Sequence, residues 1–302
     1  MILALENLTH TYTSRRTTPR TALSQLNLHW NARGLFGILG PNGGGKSTLF
    51  KILSTLLKPT SGSAELLGLN LRTHPADVRR RLGVVFQTNS LDRQLTVEEN
   101  LISQGHLHAL SGPSLAQRID TALAALQLTD RRHSLVRDLS GGLARRTEIA
   151  KALLHEPSLL LLDEPSAGLD PAARRSLLDL LLHLKRSRPI TILLTTHLLD
   201  EAEHCDRLLL LHEGRRVAEG SPAELKSQLG STSIAEFESP DPEVLANSLH
   251  EKFDVAPTLV EGRVRVEVAA AHRFVAEAVE ALPGQITSVA FHQPTLEDVF
   301  LK

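Results

Sequence analysis

The stretch GLFGILGPNGGGKSTLFKILSTLL, Gly34 to Leu57, decides the fold. Its opening is short, apolar and bounded by glycines, the pattern of a buried strand, whereas STLFKILSTLL places apolar residues on one face at helical spacing. Between the two, Gly40, Pro41, Asn42, Gly43, Gly44, Gly45, Lys46, Ser47 and Thr48 contain the phosphate-loop pattern GxxxxGKS in its required strand-to-helix setting. A glycine-rich turn that opens a helix aims several backbone N–H groups inward. Together with the positive helix N-terminus they hold the β- and γ-phosphates of a nucleotide. In that setting Lys46 neutralises phosphate charge and the Ser47 hydroxyl sits on Mg²⁺.

Two further motifs follow in order. Ser140-Gly141-Gly142 precedes the helical LARRTEIAKALL, giving a second glycine-rich helix N-terminus suited to phosphate, although it has no lysine of its own. The run LLLLDEP, from Leu159, then ends a strand on Asp163 and Glu164, whose neighbouring side chains point to opposite sides. One can serve a metal while the other faces the reaction. Asp163 is expected to hold Mg²⁺ through water, and Glu164 to orient and polarise the water that attacks the γ-phosphate.

Composition narrows the setting. The 302 residues suit one large domain or two modest ones, and the net charge of −1 with only 3% aromatic residues argues against a nucleic-acid partner. A single cysteine, Cys205, excludes an intrachain disulfide and fits a reducing cytoplasm. No apolar stretch approaches the roughly 18 residues that span a bilayer, and the N-terminal MILALENL lacks the basic segment of a signal peptide. Any membrane role is therefore expected to run through a partner. The remaining histidines, His204 near Cys205 and the pair His106/His108 among them, lack a third ligand at metal-site spacing.

Along the chain, short strands at Ile2–Leu8 and Leu26–Trp30 precede the phosphate loop. A helix-rich block over about 96–156 opens on a capping box formed by Thr96 and Glu99. Strands at Leu159–Leu162, Ile190–Thr195 and Arg207–Leu211 alternate with helices at Pro171–Lys185 and Leu198–Cys205, which predicts an α/β core with a mostly parallel sheet. Composition shifts after Gly230, and the remainder reads βαββαβ, a small ferredoxin-like α+β unit. The expected domains are thus 1–229, carrying the nucleotide site and the helical block, and 230–302.

With these motifs in order, the chain resembles the ATP-binding cassette family over Ile2 to about Gly230. The resemblance implies a phosphate-loop NTPase fold, ATP and Mg²⁺ as ligands, and a signature, Ser140-Gly141-Gly142, that completes the nucleotide site of the opposite subunit. It implies that Gln87 contacts metal and water and senses a membrane partner. Asp170, in SAGLD, would link the two sites, and His197, after ILLTT, would contact the γ-phosphate. Tyr12 resembles the aromatic residue that stacks on adenine, although the basic stretch SRRTTPR separates it from the next strand by more than the family usually has. A strand-end tyrosine packs in a core as readily.

Leu143 with Arg145-Arg146 after the signature, TNSLDRQLTVEENL from Thr88 and the terminal PTLEDVFL from Pro294 look like the drug-, ion- and polysaccharide-exporter branch, the daunorubicin-resistance-like ATPases. Ala144 and Thr147 depart from the basic and apolar residues common there. The implied function is an ATP-hydrolysing exporter subunit, paired with a second, identical cassette and bound to a separate transmembrane permease at the inner face of the cell membrane. The alternatives are a soluble cassette ATPase acting on ribosomes or DNA, and a cassette that binds ATP only as a regulator.

Overall fold

The computed structural model describes residues 1–14, 17–228, 233–268, 271–292 and 295–301. The chain opens with β1 (Leu3–Ser14), β2 (Thr17–Trp30), β3 (Leu35–Leu39) and α1 (Lys46–Leu53), followed by β4 (Ser61–Leu66), β5 (Leu69–Asn70), α2 (Pro75–Arg80) and β6 (Leu82–Val85). A helical block comes next, formed by α3 (Val97–Leu107), α4 (Gly112–Ala125) and α5 (Gly141–Leu153). Then β7 (Leu159–Asp163), α6 (Pro171–Ser187), β8 (Thr191–Thr196), α7 (Leu199–Ala202), β9 (Arg207–His212) and β10 (Arg215–Gly220) complete the first unit.

Six strands form the central sheet in the order β10-β9-β3-β8-β7-β6, parallel except for the terminal β9–β10 hairpin. Sheets covered on both faces need strands apolar on both faces, which is why Leu35–Leu39 and Leu159–Leu162 are buried throughout. Register then decides what meets at the carboxyl edge. Leu39 pairs with Thr196 and Asp163 with Thr195, so Gly40, Glu164 and His197 leave adjacent strands side by side. Ligands of open parallel sheets bind at this edge.

A second, antiparallel sheet runs β2-β1-β4-β5 and packs Leu3, Leu5, Leu8, Leu23 and Trp30 into one core with Leu49, Phe50 and Leu53 of α1. Its opening hairpin is much longer than the two short strands expected from sequence. The extra residues alternate polar threonines and serines with few apolar ones, so the period-2 signal of a half-buried strand is weak there. Strands β4 and β5 carry too little apolar patterning to announce themselves at all.

In the helical block the Thr96–Glu99 capping box forms as expected, with Glu99 N–H bonded to Thr96 Oγ1 (3.2 Å) and Thr96 N–H to Glu99 Oε2 (2.7 Å). Thr147, fully buried in α5, satisfies its hydroxyl by donating to the Leu143 carbonyl (2.9 Å), so its departure from an apolar residue leaves no orphaned group. His155 follows α5, stacks on His108 with ring centroids 4.0 Å apart, and donates from Nε2 to the Leu82 carbonyl (3.1 Å). Burial pushes its imidazole down to about 4, with help from His108. Between the ordinary histidine value near 6.5 and that value, the unfolded chain takes up a proton that the folded chain refuses. Stability is therefore expected to fall as pH drops through this window. Urea midpoints at pH 7 and pH 5 should converge in His155→Phe, which keeps the stack and removes the titration.

The residues from Pro222 onward form a separate compact unit, Met1–Ser221 being the first. The boundary expected between Leu229 and Gly230 lies outside the described residues. This unit contains α8 (Pro222–Ser227), β11 (Ser233–Glu238), α9 (Pro242–Phe253), β12 (Thr258–Val260), β13 (Arg263–Val268), α10 (Ala271–Ala281), β14 (Ser288–His292) and α11 (Leu296–Leu301). Its antiparallel order β12-β13-β11-β14 is the ferredoxin-like arrangement, with Ala235, Phe237, Val264 and Val266 packed on Leu245, Leu249 and Ala278 of the helices.

Candidate active site

The loop from Gly40 to Thr48 wraps the start of α1 under constraints that only glycine meets at two places. Gly45 has φ 107°, and a Cβ there would stand 2.8 Å from the Ala22 carbonyl oxygen. A Cβ on Gly40 would stand 2.2 Å from the Leu211 carbonyl oxygen of β9. Backbone on both sides cannot give way, so the loop is held in one shape before any ligand arrives. Lys46 is buried, with Nζ donating to the carbonyls of Gly40 (2.7 Å) and Pro41 (3.2 Å).

One carboxylate gathers the other groups. Glu164 Oε1 lies 3.4 Å from Lys46 Nζ, while Oε2 accepts from Gln87 Nε2 (3.4 Å) and lies 3.3 Å from His197 Nδ1. Residues from the start of α1 and from just beyond the ends of β6, β7 and β8 thus converge on one point. Glu164 holds a left-handed backbone, φ 45°, pinned by its N–H bonding to both the carbonyl (3.1 Å) and Oγ1 (3.0 Å) of Thr195. That turn separates the acidic pair. Asp163 is set back, accepting a hydrogen bond from Thr195 Oγ1 (2.6 Å), and burial raises its carboxyl above the usual range, with the Glu164 charge adding to the rise.

Lys46, Gln87, Glu164 and His197 line a cleft of about 640 Å³, whereas Asp163 is not among its lining residues. Tyr12 lines it as well, 41% exposed with its hydroxyl 3.3 Å from Thr48 Oγ1, so its ring is available rather than committed to the core. The signature does not reach this cleft. Ser140 caps α5 by accepting from Leu143 N–H (3.3 Å), Asp170 caps α6 by accepting from Ala173 N–H (2.9 Å), and neither they nor Gly141 and Gly142 are among the lining residues.

The sequence pattern missed three arginines. Arg20 and Arg174 line the cleft. Arg145, buried in α5, donates to the carbonyls of Phe86 (2.7 Å) and Gln87 (3.0 Å) and to Glu148 Oε2 (2.9 Å), fastening the signature helix to the segment that presents Gln87. The Arg145-Arg146 pair was visible, but its bond to a carbonyl 58 residues away was not.

Residues 23–167 match the family described as ABC transporter, and residues 136–200 match an AAA domain described with a putative AbiEii toxin. The chain is 35% identical to the Nod factor export ATP-binding protein I of Paraburkholderia xenovorans, over 94% of this chain and 92% of the relative. It is 37% identical to the daunorubicin/doxorubicin resistance ATP-binding protein DrrA of Streptomyces peucetius, over 93% and 87%. Among solved structures it is similar to an ATP-binding cassette dimer in a post-hydrolysis state bound to ADP and Pi, with TM-score 0.65, 28% identity, and coverage of 73% of this chain and 98% of that one. It is also similar to cbiO1 from Clostridium perfringens, part of an ABC transporter complex, with TM-score 0.67, 29% identity, and coverage of 84% and 96%.

Proposed function

The chain belongs to the ABC transporter family as an ATP-hydrolysing subunit of the exporter type, and from that premise we propose how its own residues divide the work. Two copies close around two ATP molecules, each held by the phosphate loop of one copy and by Ser140, Gly141 and Gly142 of the other. Tyr12 stacks on adenine, the Gly40–Thr48 loop and Lys46 hold the phosphates, and Asp170 joins the two sites. The observation that carries this assignment is the convergence of Lys46, Gln87 and His197 on the Glu164 carboxylate.

Glu164 orients the attacking water and takes its proton, which is the role of a carboxylate held beside the phosphate cradle. His197 faces the γ-phosphate, and its present contact with Glu164 keeps both groups aimed at one point. Ser47, Asp163 and Gln87 offer a hydroxyl, a carboxylate and an amide oxygen, the hard donors that Mg²⁺ takes together with water. A cation beside Asp163 would also offset the burial and like-charge cost that raises its carboxyl. When bound, Mg²⁺ neutralises charge on the phosphate oxygens.

No described helix is long and apolar enough to cross a membrane. The exporter-type relatives support coupling to a separate permease at the inner membrane face. Closing of the pair on ATP drives that permease, and hydrolysis with phosphate loss reopens it. Expression of the tagged chain in its source cells tests this reading. The expected result is Mg²⁺-dependent phosphate release by the purified chain and its co-purification with a polytopic membrane protein. Co-purification with ribosomes or DNA, or ATP binding without phosphate release, would overturn it.

A further inference from the structure

Arg20 stands outside every motif, yet the hairpin delivers it to the cleft. Tyr12 and Arg20 are direct cross-strand partners on β1 and β2, and directly opposed residues share a face of the sheet. Register shifts flank the pair, between His10 and Thr11 on one side and between Tyr12 and Ser14 on the other. Such irregularities bend a strand and re-aim its side chains, and they concentrate beside active sites. Both residues line the cleft as a result. The Arg20 Nη2 lies 4.0 Å from the position a Cβ would take on Gly43, which sets the guanidinium over the phosphate loop.

The other cations of the cleft are already engaged. Lys46 bonds two loop carbonyls and faces Glu164, and Arg174 Nε donates to the Leu169 carbonyl (2.8 Å). The Arg20 side chain has neither an ion pair nor a hydrogen bond among the described residues. Its planar fork of donors matches phosphate oxygens, and its charge persists at any working pH.

We infer that Arg20 is a nucleotide-binding residue, a second cation beside Lys46 that grips the polyphosphate chain of ATP while Tyr12, its strand partner, takes the base. This rests on reading the cleft as the ATP site. Arg20 strengthens binding without touching the hydrolytic groups, so its removal raises KM and leaves kcat nearly unchanged, the pattern of a contact made equally in ground and transition states.

The test compares Arg20→Met and Arg20→Lys with the parent full-length chain by calorimetric titration with Mg·ATP and Mg·ADP at two salt concentrations. Arg20→Met keeps length and apolar stem but not charge. It should weaken both nucleotides about tenfold, the scale of one charge-assisted hydrogen-bonded contact, and flatten the salt dependence. Arg20→Lys should recover part of the loss, and kcat at saturating ATP should stay within about twofold in both. Arg20→Met binding ATP within twofold of the parent, or losing affinity with an unchanged salt dependence, would overturn the assignment. Lys46→Ala separates this from the underlying reading: if that variant binds ATP as tightly as the parent, the cleft itself is misassigned, whatever Arg20 does.

Discussion

Glu164→Gln is expected to lower phosphate release by at least about a hundredfold while ATP binds within a few-fold of the parent affinity. The amide keeps the shape of the side chain and can still contact Gln87 and His197. It cannot take a proton from water, and it carries no charge to polarise one. The geometry also offers a competing role, because Glu164 lies 3.4 Å from Lys46 Nζ and could serve mainly to position that lysine. The two roles separate in the readout. A positioning role predicts weaker ATP binding with kcat preserved, whereas a base predicts the reverse. ATP trapped without turnover should also hold two copies together, so size-exclusion chromatography with Mg·ATP is expected to show a dimer that the parent chain forms only transiently. Near-parental phosphate release would remove Glu164 from the chemistry.

The second large effect concerns a site assembled from two copies. Ser140 lies outside the cleft of its own chain, where it only caps α5. If it completes the partner's cleft, a Ser140→Arg homodimer should bind ATP but fail to close, because a bulky cation fills the second phosphate cradle. A Lys46→Ala homodimer should lose ATP affinity instead, since it removes the buried ammonium that the loop carbonyls hold in place. Each homodimer is expected to lose at least about 90% of turnover, the tenfold that a single lost charge-assisted contact produces. Mixing the two gives heterodimers with one intact site, Lys46 from one copy and Ser140 from the other. Partial recovery of phosphate release on mixing is the expected outcome. Parental turnover by the Ser140→Arg homodimer would sink the shared-site arrangement.

Some of this was legible in the chain as written. The phosphate loop is readable because its function is carried by backbone N–H groups, so glycines at fixed offsets are a requirement of the chemistry and leave a local signature. Asp163 and Glu164 were readable only through their place after that loop, since an apolar strand ending in two carboxylates is by itself more often just a strand followed by a turn. Arg20 was not readable, because it sits in a polar stretch that separates Tyr12 from the next strand. Only the irregular register of β1 against β2 turns that separation into a pairing. Arg145 was visible as half of a dibasic pair, but its role in holding the Gln87 segment depends on two carbonyls delivered from β6.

By itself, then, the sequence determined the parallel core, the order of motifs and the ligand class, because local patterning and backbone geometry suffice for each. Tertiary structure decided which side chains share the cleft. Sheet register brings Gly40, Glu164 and His197 to one edge, and the left-handed turn at Glu164 sends its carboxylate toward Lys46 while Asp163 stays bonded to Thr195. The irregular register of the hairpin adds Arg20, and Ser140, at the start of α5, stays out of the cleft. Such juxtapositions arise between segments far apart in the chain, where no spacing rule acts, and packing of the two sheets around α1 sets them.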